Sequence, residues 1–144
     1  VTEVLYNKRN GDKNFIITDS AMNDLLRPSI YQAYHHIQPT SKNETRKNII
    51  ADIVGRICET GDYFAHDREI TESKSEELLA IMSAGAYGMV MSFNYNGRRR
   101  AAEIMVDGAK YSVIRSRETF DHLIWDEKIV RTPLVFSPFV KGRN

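Results

Sequence analysis

The chain is divided into short β-branched and apolar runs by pairs of turn-forming residues. Two such pairs, Asn10-Gly11 and Asp107-Gly108, stand between runs rich in Val, Ile and Tyr. That arrangement is typical of two-stranded hairpins. The run from Asn48 to Cys58 is apolar and β-branched enough to be a buried strand. Since the helical patterns are brief, the sequence predicts a mainly β fold, a barrel or a sandwich with short helices.

The segments between the hairpins are less regular. Ala21 to Ile37 predict a short helix with Pro28 in its first turn. Residues 63–70 fit either a short strand or a helical turn, so both interpretations stay open. Residues 78–82 predict a strand that runs into a turn at Tyr87.

The polar segment in the middle of the chain and the C-terminal region carry further expectations. Pro39 to Lys47 are polar and predict an exposed loop. Thr119 to Trp125 predict a short terminal helix. We take residues 1–125 as one domain, and residues 126–144, which contain Pro133 and Pro138, as an irregular tail.

Composition excludes several classes of protein. With 144 residues, 42% of them hydrophobic, the chain fits a single domain with one core. No apolar run approaches the roughly 20 residues that span a bilayer, so no membrane association is expected. One cysteine leaves no internal disulfide, as expected in the cytoplasm. A net charge of +1 provides no overall field for nucleic acid.

One basic cluster stands out locally. Arg98 to Arg100 follow Asn96-Gly97, and this order predicts a strand with alternate side chains facing water. The alternative is a free-standing β-barrel binding module that uses the three arginines on an anionic partner.

Arg27 and Tyr31 are four residues apart, so on a helical turn they project from one face. A guanidinium binds a carboxylate through two parallel hydrogen bonds, and a neighbouring phenol adds a third. The alternative is a surface ion pair of Arg27 with Asp24 or Asp19.

Two glycine-containing segments carry the remaining reactive groups. Residues 58–62 place the thiol of Cys58 and the carboxylates of Glu59 and Asp62 around a turn. Tyr87 stands among small residues that let a ligand approach the backbone. The alternatives are a packing tyrosine, an inert buried thiol and, for Asp62, a structural turn residue, which is the interpretation we adopt.

The histidines indicate no metal site. His35 and His36 are adjacent, and His66 and His122 are scattered, so metal-ligand spacing is missing.

Three segments, at residues 23–31, 58–62 and 84–88, resemble in their order along the chain the C-terminal domain of the diaminopimelate decarboxylase family. The resemblance runs from about Val1 to Trp125. The family usually has serine at Thr60 and proline at Arg99. The resemblance implies a Greek-key-like β-barrel with short helices. It also implies that the family's N-terminal barrel of alternating strands and helices, which carries the cofactor lysine, is absent from this chain.

The resemblance also implies roles for individual residues. Arg27 and Tyr31 are expected to hold the distal carboxylate of diaminopimelate, and Glu59 its distal amino group. Tyr87 is expected to contact the phosphate of pyridoxal 5'-phosphate. Cys58 is expected to lie near the reactive carbon of a substrate in the other subunit.

The activity implied is the conversion of meso-2,6-diaminopimelate to L-lysine and carbon dioxide by a homodimer with a site shared between subunits. The chain alone is expected to be inactive, because the cofactor lysine is missing. A related decarboxylase of ornithine, arginine or carboxynorspermidine is the alternative within the enzymes.

Overall fold

A computed structural model describes residues 1–42 and 45–130 of the chain. Eight strands, three short α-helices and two 3₁₀ turns, at Met89–Met91 and Tyr95–Gly97, occur within these residues. The strands are β1 Thr2–Asn10, β2 Lys13–Thr18, β3 Ile37–Pro39, β4 Asn48–Val54, β5 Tyr63–Thr71, β6 Leu78–Ile81, β7 Glu103–Asp107 and β8 Lys110–Arg115. The helices are α1 Arg27–Tyr31, α2 Gly85–Gly88 and α3 Phe120–Ile124.

Six strands form one sheet in the order β3-β6-β1-β2-β4-β5. All pairings are antiparallel except that of β2 with β4. The two edge strands of the sheet, β3 and β5, approach each other. Arg68 on β5 donates a hydrogen bond of 2.8 Å to the carbonyl of His35, just before β3. The same guanidinium lies 4.2 Å from the ring centroid of Tyr34. The sheet is therefore a nearly closed barrel, and the prediction of a mainly β barrel is confirmed.

Both predicted hairpins are present, with the loops one residue further along than the turn pairs suggest. Asn10 pairs with Lys13, so Gly11 and Asp12 form the first loop. Asp107 pairs with Lys110 in the second hairpin. Gly11 has a φ of 59° and Gly108 a φ of 57°, values that side-chain-bearing residues adopt only at a cost.

The core lies inside the barrel, where alternate side chains of the strands meet. Val4, Ile16, Ile53, Phe64 and Leu79 are each at most 2% exposed. Fully burying one such side chain stabilises the fold by about 1.5–3 kcal/mol. The barrel strands thus supply most of the core, and Leu25, from the segment before α1, completes it.

The structure agrees with the predicted short helix and decides the conformation of residues 63–71. The helix predicted within 21–37 is α1, which begins at Arg27 with Pro28 next to it and ends at Tyr31; at the following residue, Gln32, φ is 53°. Residues 63–71 form a strand, not a helical turn. The strand predicted at 78–82 is β6, and the expected turn at Tyr87 is the one-turn helix α2.

Two predictions need correction. Pro39 belongs to β3, so the loop predicted from Pro39 begins one residue later; Asn43 and Glu44 lie outside the described residues. Residues 98–100 form no strand, although the predicted alternation is present, because Arg99 is exposed between the half-buried Arg98 and Arg100.

The terminal helix prediction is confirmed by α3, whose first turn is capped by the hydroxyl of Thr119. Residues 131–144 of the predicted tail lie outside the described residues, and the domain boundary at residue 125 stays a prediction. In the described part of the chain, no helix has the length and apolar character to cross a bilayer. Among the same residues, no group of three His, Cys, Asp or Glu side chains lies close enough to hold a metal ion.

Candidate functional site

Helix α1 lies against the turn at residues 58–62, although the two segments are far apart in sequence. The hydroxyl of Ser29 donates a hydrogen bond of 2.5 Å to the carbonyl of Gly61. Just before the helix, the backbone N–H of Met22 donates one of 2.7 Å to Oδ1 of Asp62. Two of the three predicted site segments are thereby fixed side by side.

Arg27 joins α1 to α2. Its guanidinium carbon lies 5.5 Å from the ring centroid of Tyr87 and 6.0 Å from that of Tyr31. Contacts of a guanidinium with aromatic faces at this distance are attractive. The structure therefore brings Arg27, Tyr31 and Tyr87 together, as a cationic group between two phenols.

The alternative ion pairs of Arg27 do not form. Asp24 lies 3.5 Å from Arg98, and Asp19 accepts hydrogen bonds from Thr2 and from the backbone of Glu3. No ion pair found among the described residues involves Arg27. Tyr31 and Tyr87 are 63% and 58% exposed, so this cluster faces solvent and is accessible to a ligand.

Asp62 organises the turn from inside. The carboxylate is buried, and Oδ2 accepts a hydrogen bond of 2.6 Å from the backbone N–H of Ile57. Burial raises the pKa of Asp62, and the N–H groups of Ile57 and Met22 partly offset this. A Cβ at Gly55 would stand 2.3 Å from the carboxylate oxygens, so only glycine fits beside it. The structural interpretation of Asp62 agrees with these contacts.

Cys58 and Glu59 lie on the outside of the same turn, and both are exposed. Oε1 of Glu59 accepts a hydrogen bond of 3.2 Å from the N–H of Gly61, and Oε2 accepts one of 3.3 Å from the hydroxyl of Tyr95. The thiol is not buried, which contradicts the inert buried alternative.

The sequence analysis missed the inward role of the arginine triplet. Nε of Arg98 donates to Oδ1 of the fully buried Asn23 at 2.7 Å, and its Nη2 donates to the carbonyl of Asp19 at 2.6 Å. Arg100 donates to the hydroxyl of Ser92 and to the carbonyl of Met89.

Arg99 differs from its two neighbours, since its guanidinium lies 4.5 Å from the ring centroid of Phe120. Arg98 thus fastens its segment to the residues that follow β2, and Arg100 fastens it to residues 89–92. This leaves the anion-binding alternative with one exposed arginine of the triplet. The signal was the triplet itself, but its partners lie too far away in sequence to be recognised from a local pattern.

Tyr95 was also missed, because nothing in the local sequence distinguishes it from a packing aromatic. It begins the second 3₁₀ turn and is 41% exposed. Its hydroxyl connects this turn to the carboxylate of Glu59.

The space beside Tyr87 is open. A Cβ added at Gly85 would meet no atom within 4 Å. A phenol donor, a guanidinium and unobstructed backbone next to each other suit the phosphate of a cofactor. The chain thus presents donors for an anion at this cluster and an acceptor for a cation at the acidic turn.

Residues 1–85 match the family model described as the C-terminal sheet domain of pyridoxal-dependent decarboxylases. The chain belongs to this family. A curated diaminopimelate decarboxylase of Aquifex aeolicus is 55% identical over 124 residues, which are 86% of this chain and 29% of that relative.

Solved structures of family members agree in fold. A crystal structure from Aquifex aeolicus has a TM-score of 0.85 at 54% identity and is matched over 87% of this chain and 31% of its own. Diaminopimelate decarboxylase from Helicobacter pylori complexed with L-lysine has a TM-score of 0.80 at 39% identity, over 88% of this chain and 30% of its own. The chain therefore spans about a third of the length of the relatives that it matches.

Proposed function

We propose that this chain is the C-terminal part of a diaminopimelate decarboxylase that converts meso-2,6-diaminopimelate to L-lysine and carbon dioxide. The observation that carries the proposal is the cluster of Arg27, Tyr31 and Tyr87. High identity to diaminopimelate decarboxylases over most of the chain supports it.

Substrate recognition follows from opposite charges at fixed positions. The guanidinium of Arg27 and the hydroxyl of Tyr31 would donate hydrogen bonds to the distal carboxylate. Glu59 would accept hydrogen bonds from the distal ammonium. A decarboxylase of a basic amino acid has no distal carboxylate to pair with Arg27, so this pair favours diaminopimelate.

Pyridoxal 5'-phosphate, when bound, supplies the electron sink for decarboxylation. The residues present fit its phosphate, because the exposed Tyr87 hydroxyl can donate to it beside the open backbone at Gly85. The thiol of Cys58 would hold the proton that replaces carbon dioxide on the substrate carbon. Its exposure leaves it accessible for that transfer.

A homodimer completes the site in this proposal. Cys58 and Glu59 project outward from the turn and would serve the site of the partner subunit. The exposed single thiol fits a reducing compartment, which supports placing the reaction in the cytoplasm. The chain alone should form no lysine from diaminopimelate, even with added cofactor; lysine above a no-protein control would contradict this.

Two substitutions in a full-length protein carrying this chain test the assignment. Arg27→Ala and Glu59→Gln should each lower kcat/KM for diaminopimelate about a hundredfold, because each leaves a charged substrate group unpaired. Cofactor absorbance should be retained in both. Arg9→Ala is the control, since Arg9 pairs with Asp12 at the tip of the first hairpin. Unchanged kcat/KM in either site variant would refute its assignment.

Subunit mixing tests the shared site. A variant lacking the cofactor lysine is mixed with Glu59→Ala, each inactive alone. If Glu59 serves the neighbour, a heterodimer has one intact site and one site with both defects. About a quarter of native activity should return when half of the dimers are mixed. No recovery in a sample whose heterodimers are confirmed by mass spectrometry would exclude the shared site.

A further inference from the structure

Tyr95 contacts the acidic turn from a segment that the proposed function does not use. Its hydroxyl donates a hydrogen bond of 3.3 Å to Oε2 of Glu59, while the N–H of Gly61 donates to Oε1. Each carboxylate oxygen is therefore held by one donor. Since a carboxylate has about four acceptor positions, two remain for a ligand.

The turn that carries Tyr95 is itself fixed at both ends to one buried residue. On its N-terminal side, the N–H of Phe93 donates a hydrogen bond of 3.1 Å to the carbonyl of Asn23. On its C-terminal side, Nε of Arg98 donates to the side-chain oxygen of Asn23. Asn23 is fully buried, so the turn that carries Tyr95 is anchored to the interior of the protein.

The ring of Tyr95 is also supported by packing. Its centroid lies 6.1 Å from that of Phe93, with the rings tilted by 32°. A phenol held by a neighbouring ring and by an anchored backbone turn presents its hydroxyl in a defined place. Glu59, by contrast, lies on the exposed side of its turn. Its side chain is flexible, so the carboxylate must be oriented before it can bind a ligand.

We propose that Tyr95 is a positioning residue that sets the orientation of the Glu59 carboxylate and thereby the preference for substrates with a distal ammonium. This inference rests on the proposed role of Glu59. Without the phenolic hydroxyl, Glu59 would sample several rotamers, and part of the binding energy of the ammonium would be used to order it. The distal carboxylate, held by Arg27 and Tyr31, would still bind.

The test uses Tyr95→Phe in the full-length holoenzyme, which removes one oxygen and keeps the ring. With meso-diaminopimelate, KM should rise and kcat/KM should fall about tenfold, while kcat at saturation changes less than twofold. With 2-aminopimelate, which lacks the distal ammonium, kcat/KM should be nearly unchanged. Tyr6→Phe on β1 is the matched control, because Tyr6 lies outside the site segments. An equal loss with both substrates would overturn the proposal.

A double-mutant cycle separates this inference from the proposed function. If Tyr95 acts through Glu59, Tyr95→Phe should have no further effect on kcat/KM in the Glu59→Gln background. If Glu59→Gln lowers kcat/KM strongly but Tyr95→Phe has no effect, or an effect that adds to that of Glu59→Gln, the role of Tyr95 is overturned and that of Glu59 is kept. No effect of Glu59→Gln refutes the role of Glu59, and the inference falls with it.

The hydrogen bond itself has a spectroscopic signature independent of turnover. Hydrogen bonding to the Glu59 carboxylate raises the pKa of the Tyr95 phenol above its usual 10.0. In protein labelled at the tyrosine Cζ, the Tyr95 resonance should therefore titrate at lower pH in Glu59→Gln than in wild type. An unchanged titration would show that the two groups do not interact and would overturn the proposal.

Discussion

The barrel and the second hairpin have equally regular strands and opposite surroundings. Strands β2, β4 and β5 each bury several side chains, including Ile16, Ile53 and Phe64. In the hairpin, all six residues of β8 are exposed. Helix α3 buries none of its residues. Regular backbone pairing therefore occurs here without burial within this chain, and alternation in the sequence does not by itself indicate burial.

Many of the exposed side chains in this region are nevertheless apolar. They are Ile104, Met105, Val106, Tyr111, Val113, Ile114, Phe120, Ile124 and, directly after α3, Trp125. A concentration of exposed apolar side chains usually marks a surface that contacts other protein. The barrel thus carries the stability of the chain, and the hairpin carries a surface suited to contact. This contrast makes four predictions, from the largest effect to the smallest.

Phe64→Ala should destabilise the chain the most. The ring is 2% exposed inside the barrel, and its removal leaves a cavity that the surrounding strands fill only partly. Truncations of this kind cost about 3–5 kcal/mol. Urea unfolding followed by circular dichroism measures the loss; a cost below about 1 kcal/mol would mean that the barrel is not the stabilising unit.

Gly55→Ala should cost about 2 kcal/mol, because the new methyl group displaces the Asp62 carboxylate from the N–H groups of Ile57 and Met22. The same displacement should loosen the turn of Cys58, seen as faster alkylation of the thiol. Gly85→Ala is the control, since a methyl group there meets nothing. Equal unfolding midpoints for the two variants would argue against the Asp62 anchor.

Glu77→Gln should change how stability depends on pH. Two hydrogen bonds from Arg46 lower the pKa of Glu77 from 4.5 to about 2. A lowered pKa means that the ion pair stabilises the fold above pH 4.5 and that this contribution is lost as the pH falls toward 2. The difference in unfolding free energy between wild type and Glu77→Gln should therefore shrink as the pH falls from 4.5 toward 2. A difference independent of pH would exclude the pair as its source.

Val113→Ala should have the smallest effect, within about 0.5 kcal/mol, because this β8 side chain is 59% exposed. Size-exclusion chromatography of full-length protein provides the second measurement, in which weakened assembly would identify the hairpin as a contact surface. Destabilisation of the isolated chain comparable to that of Phe64→Ala would remove the distinction between the two regions.

The sequence was sufficient where the determinants are local. Glycine at positive φ specifies the loops at Gly11 and Gly108, and Pro28 marks the start of α1. It was insufficient for β3, because three residues are too few to show alternation, and for residues 63–71, whose strand conformation depends on pairing with β4.

For the candidate site too, the sequence was sufficient only where the determinants are local. Arg27 and Tyr31 meet because helical spacing places them on one face, which four residues of sequence are enough to predict. Tyr95 and Arg98 reach Glu59 and Asn23 across the fold, and no local pattern records such a contact. The assignments of Cys58, Glu59 and Tyr87 came from the family resemblance, and their roles stay predictions.

The parallel pairing of β2 with β4 has a consequence for the order of folding. Phe15, Ile16 and Ile17 pair with Asp52, Ile53 and Val54, so the whole segment containing α1 and β3 forms the crossover between these strands. Closing so long a loop is slow compared with forming a hairpin. Arg27 and Tyr31 therefore reach their final positions only once this ladder exists. In pulse-labelled hydrogen exchange, the β1–β2 amides should be protected before those linking β2 to β4.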